Sequence, residues 1–354
     1  VYLWTKDKKG VDRRGAGPTD PAVYKKGSGE GQGVHIMTGP VYVRGAEPGD
    51  ILEVRILDCV PRPSGNPKFA GKSYGSNAAA NWGFQYNDLL GGEKREVVTI
   101  YELDMNEPAT VSALYSYHWT PQTDPDGVVH PTIDYPGVRV DHATITKKES
   151  ILSGVKIPAR LHFGTMGVAP AEADFVSTIP PSYTGGNMDD WRIAKGARMF
   201  YPVAVPGALF SVGDAHASQG DSELSGTAIE ISLTGEFEFI LHKKADLPGT
   251  VMEGLDHPLL ENDHIWSVYG FSVTNYLAEL GPDHQYEILK SSSLDNAMRD
   301  AFRKLRRFLM TVHGLTEDEA ISLMSVAADF GITQVVDANW GVHGSIRKSL
   351  FPCS

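Results

Sequence analysis

Apolar positions along the chain keep a period of two over its first two-thirds and a helical period only near its end. Ile51-Leu52-Glu53-Val54-Arg55-Ile56-Leu57-Asp58 alternates Leu52, Val54 and Ile56 with Glu53 and Arg55, as a half-buried strand does. A Pro48-Gly49-Asp50 turn joins it to an earlier strand around Gly39-Pro40-Val41-Tyr42-Val43. Pro61 to Asn81 reads as a Gly/Pro/Ser/Asn loop, and Arg95–Leu103, Val111–Trp119 and Gly137–Val140 as further strands. Val203 to Val212 reads as a buried strand bent at Pro206-Gly207, and Thr227 to Leu233 as another strand. A last β pair follows at Phe237–Lys243 and Ile265–Val273. From Ser293 the period changes: Leu294, Met298, Ala301, Phe302, Leu305, Phe308, Leu309 and Val312 recur at helical spacing up to Gly314. Thr316 and Glu319 have capping-box spacing and open a second helix over Glu317–Ala328, ended by Gly331 and followed by a strand, Ile332–Asp337.

These elements predict a mainly β fold, a sandwich or barrel-like body with a C-terminal α/β lobe. Three segments are expected: an N-terminal β domain with long polar loops (1–150), a central β segment (151–262) and the lobe (263–354). The lobe reads as packing or an oligomer surface, with no chemistry of its own.

Composition supports this picture, since 37 Gly and 22 Pro suit a body with many turns. A net charge of −12 argues against a nucleic-acid partner, which clustered Lys and Arg would hold. Arg303, Lys304, Arg306 and Arg307 form one basic cluster, which reads as a solvated helix face. Cys59 and Cys353 are the only cysteines, so neither a disulfide framework nor a thiolate metal knot is indicated. No apolar run is long enough to span a bilayer, and no membrane partner is expected. The chain opens abruptly at Val1-Tyr2-Leu3-Trp4 and runs through a polar stretch, residues 5–33, that reads as exposed loop. The cytoplasm is the expected compartment, with the periplasm as the alternative.

The densest chemistry lies between Val203 and Glu230, where Asp214, His216, Gln219, Asp221, Glu223 and Glu230 fall among apolar residues. In an extended segment Asp214 and His216 face one way, which makes half of a metal site. Asp221, Glu223 or Asp189 can supply further oxygen ligands. Zinc with mixed nitrogen and oxygen ligands is the first choice of ion and calcium the second. Taken singly, His216 is equally a buried core histidine, Asp214 and Asp221 turn caps, and Glu230 an outward strand residue. Burying all of them without a metal or ligand would cost on the order of several kcal/mol per charge, which favours a site. Gly185-Gly186-Asn187-Met188-Asp189 brings backbone, an amide and a carboxylate close together and forms the expected opposite wall. His118, Asp124, Asp126, His130 and Asp134 also have loose metal-like spacing, but a solvent-facing loop takes precedence there.

Phe163–Pro170, Pro180–Asp189, Tyr201–Phe210 and above all Gly213-Asp214-x-His216-x-x-Gln219-Gly220-Asp221-x-Glu223 resemble the acetamidase/formamidase family. So do Thr38–Val43, Ala46–Asp50, Leu323–Asp329 and Thr333–Asp337, so the resemblance covers nearly the whole chain. It departs at Ser222, where the family pattern has Gly, and in residues 5–33. The resemblance implies a metal-dependent hydrolase of short linear amides, formamide or acetamide, releasing ammonia and a carboxylate, and a homo-oligomer, dimer or higher. Under it Asp214, His216 and Asp189 are metal ligands. Glu223 is the proton shuttle to the leaving amine, with Asp221 behind it, and Asn187 and Gln219 hold the amide. The alternatives are a lactam or longer-amide hydrolase on the same fold, or an inactive amide-binding protein. A nucleophilic hydrolase is weaker: neither cysteine has a close histidine in sequence, and no Gly-x-Ser-x-Gly elbow is read.

Overall fold

The computed structural model describes residues 35, 37–86, 95–123, 127, 129–133, 140–173, 176–281 and 287–351. Strands run in chain order as β1 (Met37–Val41), β2 (Ile51–Pro61), β3 (Lys72–Ala79), β4 (Val97–Asp104) and β5 (Thr110–His118). Four two-residue strands follow: β6 (Gln122–Thr123), β7 (Val129–His130), β8 (Lys148–Glu149) and β9 (Ile157–Pro158). Then come β10 (His162–Gly167), β11 (Gly185–Asn187), β12 (Arg198–Pro202), β13 (Phe210–His216), β14 (Leu233–His242), β15 (Leu259–Glu261) and β16 (Ile265–Phe271). Helices α1 (Tyr276–Leu280), α2 (Leu294–His313) and α3 (Glu317–Ala327) precede β17 (Ala328–Gln334) and β18 (Gly341–Arg347). The fold is mainly β with a C-terminal helical region, as the hydrophobic pattern predicts.

A seven-stranded sheet, β14-β2-β12-β15-β16-β18-β17, forms the middle layer. The expected segments 1–150, 151–262 and 263–354 each contribute strands to it. Alternation along its strands is used on both sides. Leu52, Val54, Met199, Tyr201, Leu260 and Tyr269 face the four-stranded sheet β1-β13-β10-β11, where they meet Phe163, Met166, Phe210 and Val212. Their neighbours Ile51, Phe200, Leu259 and Val268 face the helices and meet Leu305, Phe308, Leu309 and Met324. A five-stranded sheet, β3-β4-β5-β8, is joined to this stack where Ser76 bridges Glu230.

Several local expectations are corrected. β1 and β2 flank the Pro48-Gly49-Asp50 turn but enter different sheets, so they are no hairpin. Pro61–Asn81 contains β3, which pairs with β4 along its whole length despite its polar composition. Val203–Val212 is not one strand, because Gly207, Ala208 and Leu209 all have positive φ and separate β12 from β13. Thr227–Leu233 makes only isolated bridges at Glu230 before β14 begins. Gly331 lies inside β17, and α3 already ends at Ala327. Residues 137–139 of the short strand expected at Gly137–Val140, the polar stretch 5–33, and Asp124, Asp126 and Asp134 lie outside the described residues, while Val140 itself carries no strand. His118 is exposed and His130 buried. Lys304 is no solvated residue: it is 4% exposed and paired with Asp300. Gly71-Lys72-Ser73-Tyr74-Gly75 does spell the Gly-x-Ser-x-Gly pattern, but it leads through β3 and no helix follows; the Ser73 hydroxyl donates to the Arg62 carbonyl. Among the described residues no helix is long and apolar enough to cross a membrane.

Candidate functional site

The site grows out of the pairing of β10 with β13. Register His162 to His216, Phe163 to Ala215 and Thr165 to Gly213 sets Gly164 opposite Asp214. β11 lies on the other side of β10, with Thr165 paired to Asn187 and Met166 to Gly186. Glycine is required at 185: its φ is +92°, and a Cβ there would lie 2.5 Å from the Met166 carbonyl. That approach carries Asn187 and Asp189 against the end of β13. Glu223 comes from the loop after β13, which Ser222 ties to β17 by donating its N–H to the Ile332 and Thr333 carbonyls. Val335 in turn donates to the Ser222 carbonyl, and Asp337 follows it into the site.

His216 stands at the centre and is fully buried. Its Nε2 lies 3.3 Å from Asp214 Oδ1 and 3.3 Å from Glu230 Oε1, and its Nδ1 lies 3.9 Å from Asp189 Oδ1. Ligand atoms of Asp189, His216 and Glu223 lie within 4.8 Å of one another, and so do those of Asp214, His216 and Glu230. Behind this, His216 Nδ1 meets His162 Nε2 at 3.0 Å, and His162 Nδ1 meets the Arg160 carbonyl. A carbonyl only accepts, so His162 carries a proton on Nδ1, while its Nε2 faces both His216 Nδ1 and Gln219 Oε1 at 3.0 and 3.1 Å. His216 turns its Nε2 toward Asp214 and Glu230.

The acids are crowded out of water. Burial, reinforced by the Asp189 carboxylate, holds Glu223 well above the usual carboxylate range. Burial also raises Glu230, to about 6, with the His216 ring opposing and Asp214 adding to the rise. Asp337 is held well above its ordinary value by burial and by Asp189, to which it donates a hydrogen bond. Asp189 rises through burial, although that bond counters part of the shift. Burial would raise Asp214 too, but His35 and His216 outweigh it and keep the group ionised. Burial would lower His216, yet Glu230 and Asp214 hold it well above the usual imidazole value.

Three of the acids sit on left-handed backbone: φ is +47° at Asp189, +57° at Asp214 and +50° at Glu223. Asp189 Oδ1, His216 Nε2, Asp337 Oδ2 and Asn187 Nδ2 are buried without a hydrogen-bond partner. Gly164 keeps the space open between them: a Cβ there would lie 2.2 Å from Asp189 Oδ1 and 2.7 Å from Asp214 Oδ2.

Residues 30–175 and 171–346 match the profile of the acetamidase/formamidase family. The chain belongs to that family. It is 31% identical over 217 residues to the acetamidase of Mycolicibacterium smegmatis, covering 54% of this chain and 49% of that protein. It is 25% identical over 335 residues to the formamidase of Methylophilus methylotrophus, covering 86% of this chain and 74% of that protein. The chain thus spans about half the length of the Mycolicibacterium acetamidase it matches. Its fold is that of the solved acetamidase of Yersinia enterocolitica, at a TM-score of 0.65 and 23% identity over 90% of this chain and 75% of that one. The acetamidase structure from Bacillus halodurans gives 0.63 and 22%, over 89% and 79%.

Within this family member, the structure gathers Asp189, Asp214, His216 and Glu223, with Asn187 beside them. Thr165 Oγ1 donates to Asn187 Oδ1 at 2.6 Å, which leaves the Asn187 Nδ2 hydrogens free. Asp221 lies apart: Trp191 Nε1 donates to it at 2.8 Å and Arg192 at 3.3 Å. Burial would raise Asp221, but His343 and Arg192 hold it below the carboxylate range. The Gln219 amide is fully engaged, its Nε2 donating to the Asp189 and Thr333 carbonyls and its Oε1 lying 3.1 Å from His162.

Three contributors escape the sequence reading, and a fourth, Glu230, is read within the site stretch but given no role. His35 Nε2 lies 3.7 Å from Asp214 Oδ2. His162 sits two residues before Gly164 with no motif of its own. Glu230, between Ile229 and Ile231, reads as the outward residue of a strand. Asp337 belongs to the lobe to which no chemistry was assigned, which the structure corrects. Its position at the end of Thr333–Asp337, a stretch shared with the family, is the one signal that points to it.

Proposed function

We propose that this protein hydrolyses short primary amides of the formamide and acetamide type, releasing ammonia and a carboxylate, and that it needs a divalent cation to do so. The observation that carries this reading is the buried cluster around His216, whose Asp189 Oδ1 and His216 Nε2 make no hydrogen bond although carboxylates lie 3.3 Å from Nε2. Buried polar atoms are rarely left unpaired, and carboxylate oxygens around one imidazole nitrogen suit zinc first, with calcium as the harder alternative. Asp214, His216 and Asp189 are the ligands we assign, with Glu230 added to them. When bound, the cation supplies Lewis acidity toward the amide carbonyl and lowers the pKa of water from about 15.7 to about 7.

The chain's own groups do the rest. Asn187 Nδ2, fixed through Thr165, is placed to donate to the substrate carbonyl oxygen and to the charge that builds there. Burial and the Asp189 carboxylate hold Glu223 well above the usual carboxylate range, the direction that suits an acid that protonates a leaving amine. We do not retain Asp221 as its substitute, because it is ionised and bound to Trp191 and Arg192. Its role is to hold the loop, and that of Gln219 is to fix His162 and the Asp189 backbone.

The test is ammonia release over formamide, acetamide, propionamide and a γ-lactam, with chelator and with zinc added back. Turnover of the first two, abolished by chelator and restored by zinc, is expected. His216→Ala should lower kcat/KM by roughly 10³ or more, about 4 kcal/mol of transition-state stabilisation. Turnover that survives chelation would refute the cation requirement, and amide binding without ammonia would refute hydrolysis.

A further inference from the structure

We propose that the cluster binds two divalent cations, with Asp214 shared between them; this rests on the cation-dependent reading above. Two groups of candidate ligand atoms meet at His216 and use different carboxylates: Asp214 and Glu230 in one, Asp189 and Glu223 in the other, with Glu223 kept for the proton. His216 serves only the first. Its Nδ1 is occupied by His162 at 3.0 Å, while its Nε2 faces Asp214 and Glu230 at 3.3 Å each. The second place draws mainly on oxygen donors, with His35 Nε2 3.7 Å from Asp214 Oδ2 at its edge, and Asp337 joins them, since it touches Asp189 and keeps its Oδ2 unpaired in the interior.

Asp214 points its two oxygens in two directions. Oδ1 turns to His216 Nε2, while Oδ2 turns to the space over Gly164 that Asp189 Oδ1 also borders. That is the disposition of a carboxylate bridging two ions, which in two-metal sites lie about 3.5–4 Å apart. Each side also holds a deeply buried ligand atom with no partner: His216 Nε2 on the first, Asp189 Oδ1 on the second.

Manganese(II) is a suitable probe because content and coupling are read together. Protein stripped with chelator, reloaded with Mn²⁺ and passed through a desalting column should hold two Mn²⁺ per chain by elemental analysis. Its electron paramagnetic resonance should show an exchange-coupled pair. Glu230→Gln and Asp337→Asn remove a ligand from opposite sides, and each should fall to one Mn²⁺ with a six-line uncoupled spectrum. Circular dichroism confirms that the variant read is folded, and either variant suffices. One Mn²⁺ per chain in the wild type overturns the second cation alone, and a folded variant that keeps two overturns the assignment of the substituted residue as a ligand. No bound Mn²⁺ overturns cation dependence as well, and ammonia release still decides hydrolysis by itself.

Discussion

Asp189, Asp214 and Glu223 share a conformation that side chains with a Cβ avoid, at a cost on the order of 1–3 kcal/mol each. The surrounding sheet holds that strain, and what it secures is carboxylates aimed inward from three separate segments, of which Asp214 lies within β13. Gly164 is the counterpart, the one position in the cradle that must have no side chain. Gly164→Ala should fold, because Gly164 does not have positive φ, at a cost of roughly 1–3 kcal/mol from overpacking. It should cut amide turnover at least 100-fold and weaken cation uptake, checked by ammonia release and by elemental analysis; wild-type values for both would refute the cradle. At this scale the sequence disclosed what is local. Asp214, His216 and Glu223 fall within one short stretch, and the glycines before Asn187 announce a close backbone approach. His35, His162 and Asp337 became legible only in three dimensions, since nothing in their neighbours reveals which strand they will meet. Gln219 and Asp221 show the converse: a polar side chain in the right stretch can be spent on its own protein.

At the scale of elements, α2 illustrates how a helix is fastened to a sheet. Ser293 caps it, Gly314 ends it in left-handed conformation, and its apolar face covers Phe200, Val268 and Ile346. In that interface Lys304 donates to Asp300 at 2.7 Å and to the Tyr269 carbonyl at 2.8 Å. Asp300→Ala should destabilise the protein by about 3–5 kcal/mol, because it strands an ammonium in the core. Asp300→Leu with Lys304→Met should recover much of that loss; urea titrations of the three proteins decide it, and additive losses would refute the argument. Helices α2 and α3 could be read nearly to the residue, because caps and period are local signals. Strands were read less well where polar residues hide pairing, as in β3, or where a bend mimics continuity, as between β12 and β13. Which sheet a strand joins, as for β1 and β2, is decided by partners far along the chain.

Across the whole molecule, two buried histidines lose stability in acid, while the raised carboxyls of the cluster act with the opposite sign. His257 is buried, and burial together with the Lys304 charge pushes it down to about 3. An unfolded chain takes up that proton at a pKa of about 6.5, so the contribution of the neutral ring is full above this and is lost as pH falls toward 3. His162, pushed down to about 4 by burial and the neighbouring His216, acts with the same sign. His257→Phe should therefore flatten the fall in unfolding free energy between about pH 6.5 and 3, by a few kcal/mol over that range. Parallel denaturant titrations across that range check it, and an unchanged slope would refute it. The tie between Ser222 and the end of β17 has a consequence in time. Asp337 reaches the cluster only after α2, α3 and β17 have docked on the middle sheet, so a nascent chain that has placed Asp214 and His216 still lacks part of the pocket. Contacts so far apart in sequence form slowly. The pocket is complete only once the C-terminal strands are docked, and on the proposed cation-dependent reading full cation capture by a refolding chain would report completed topology.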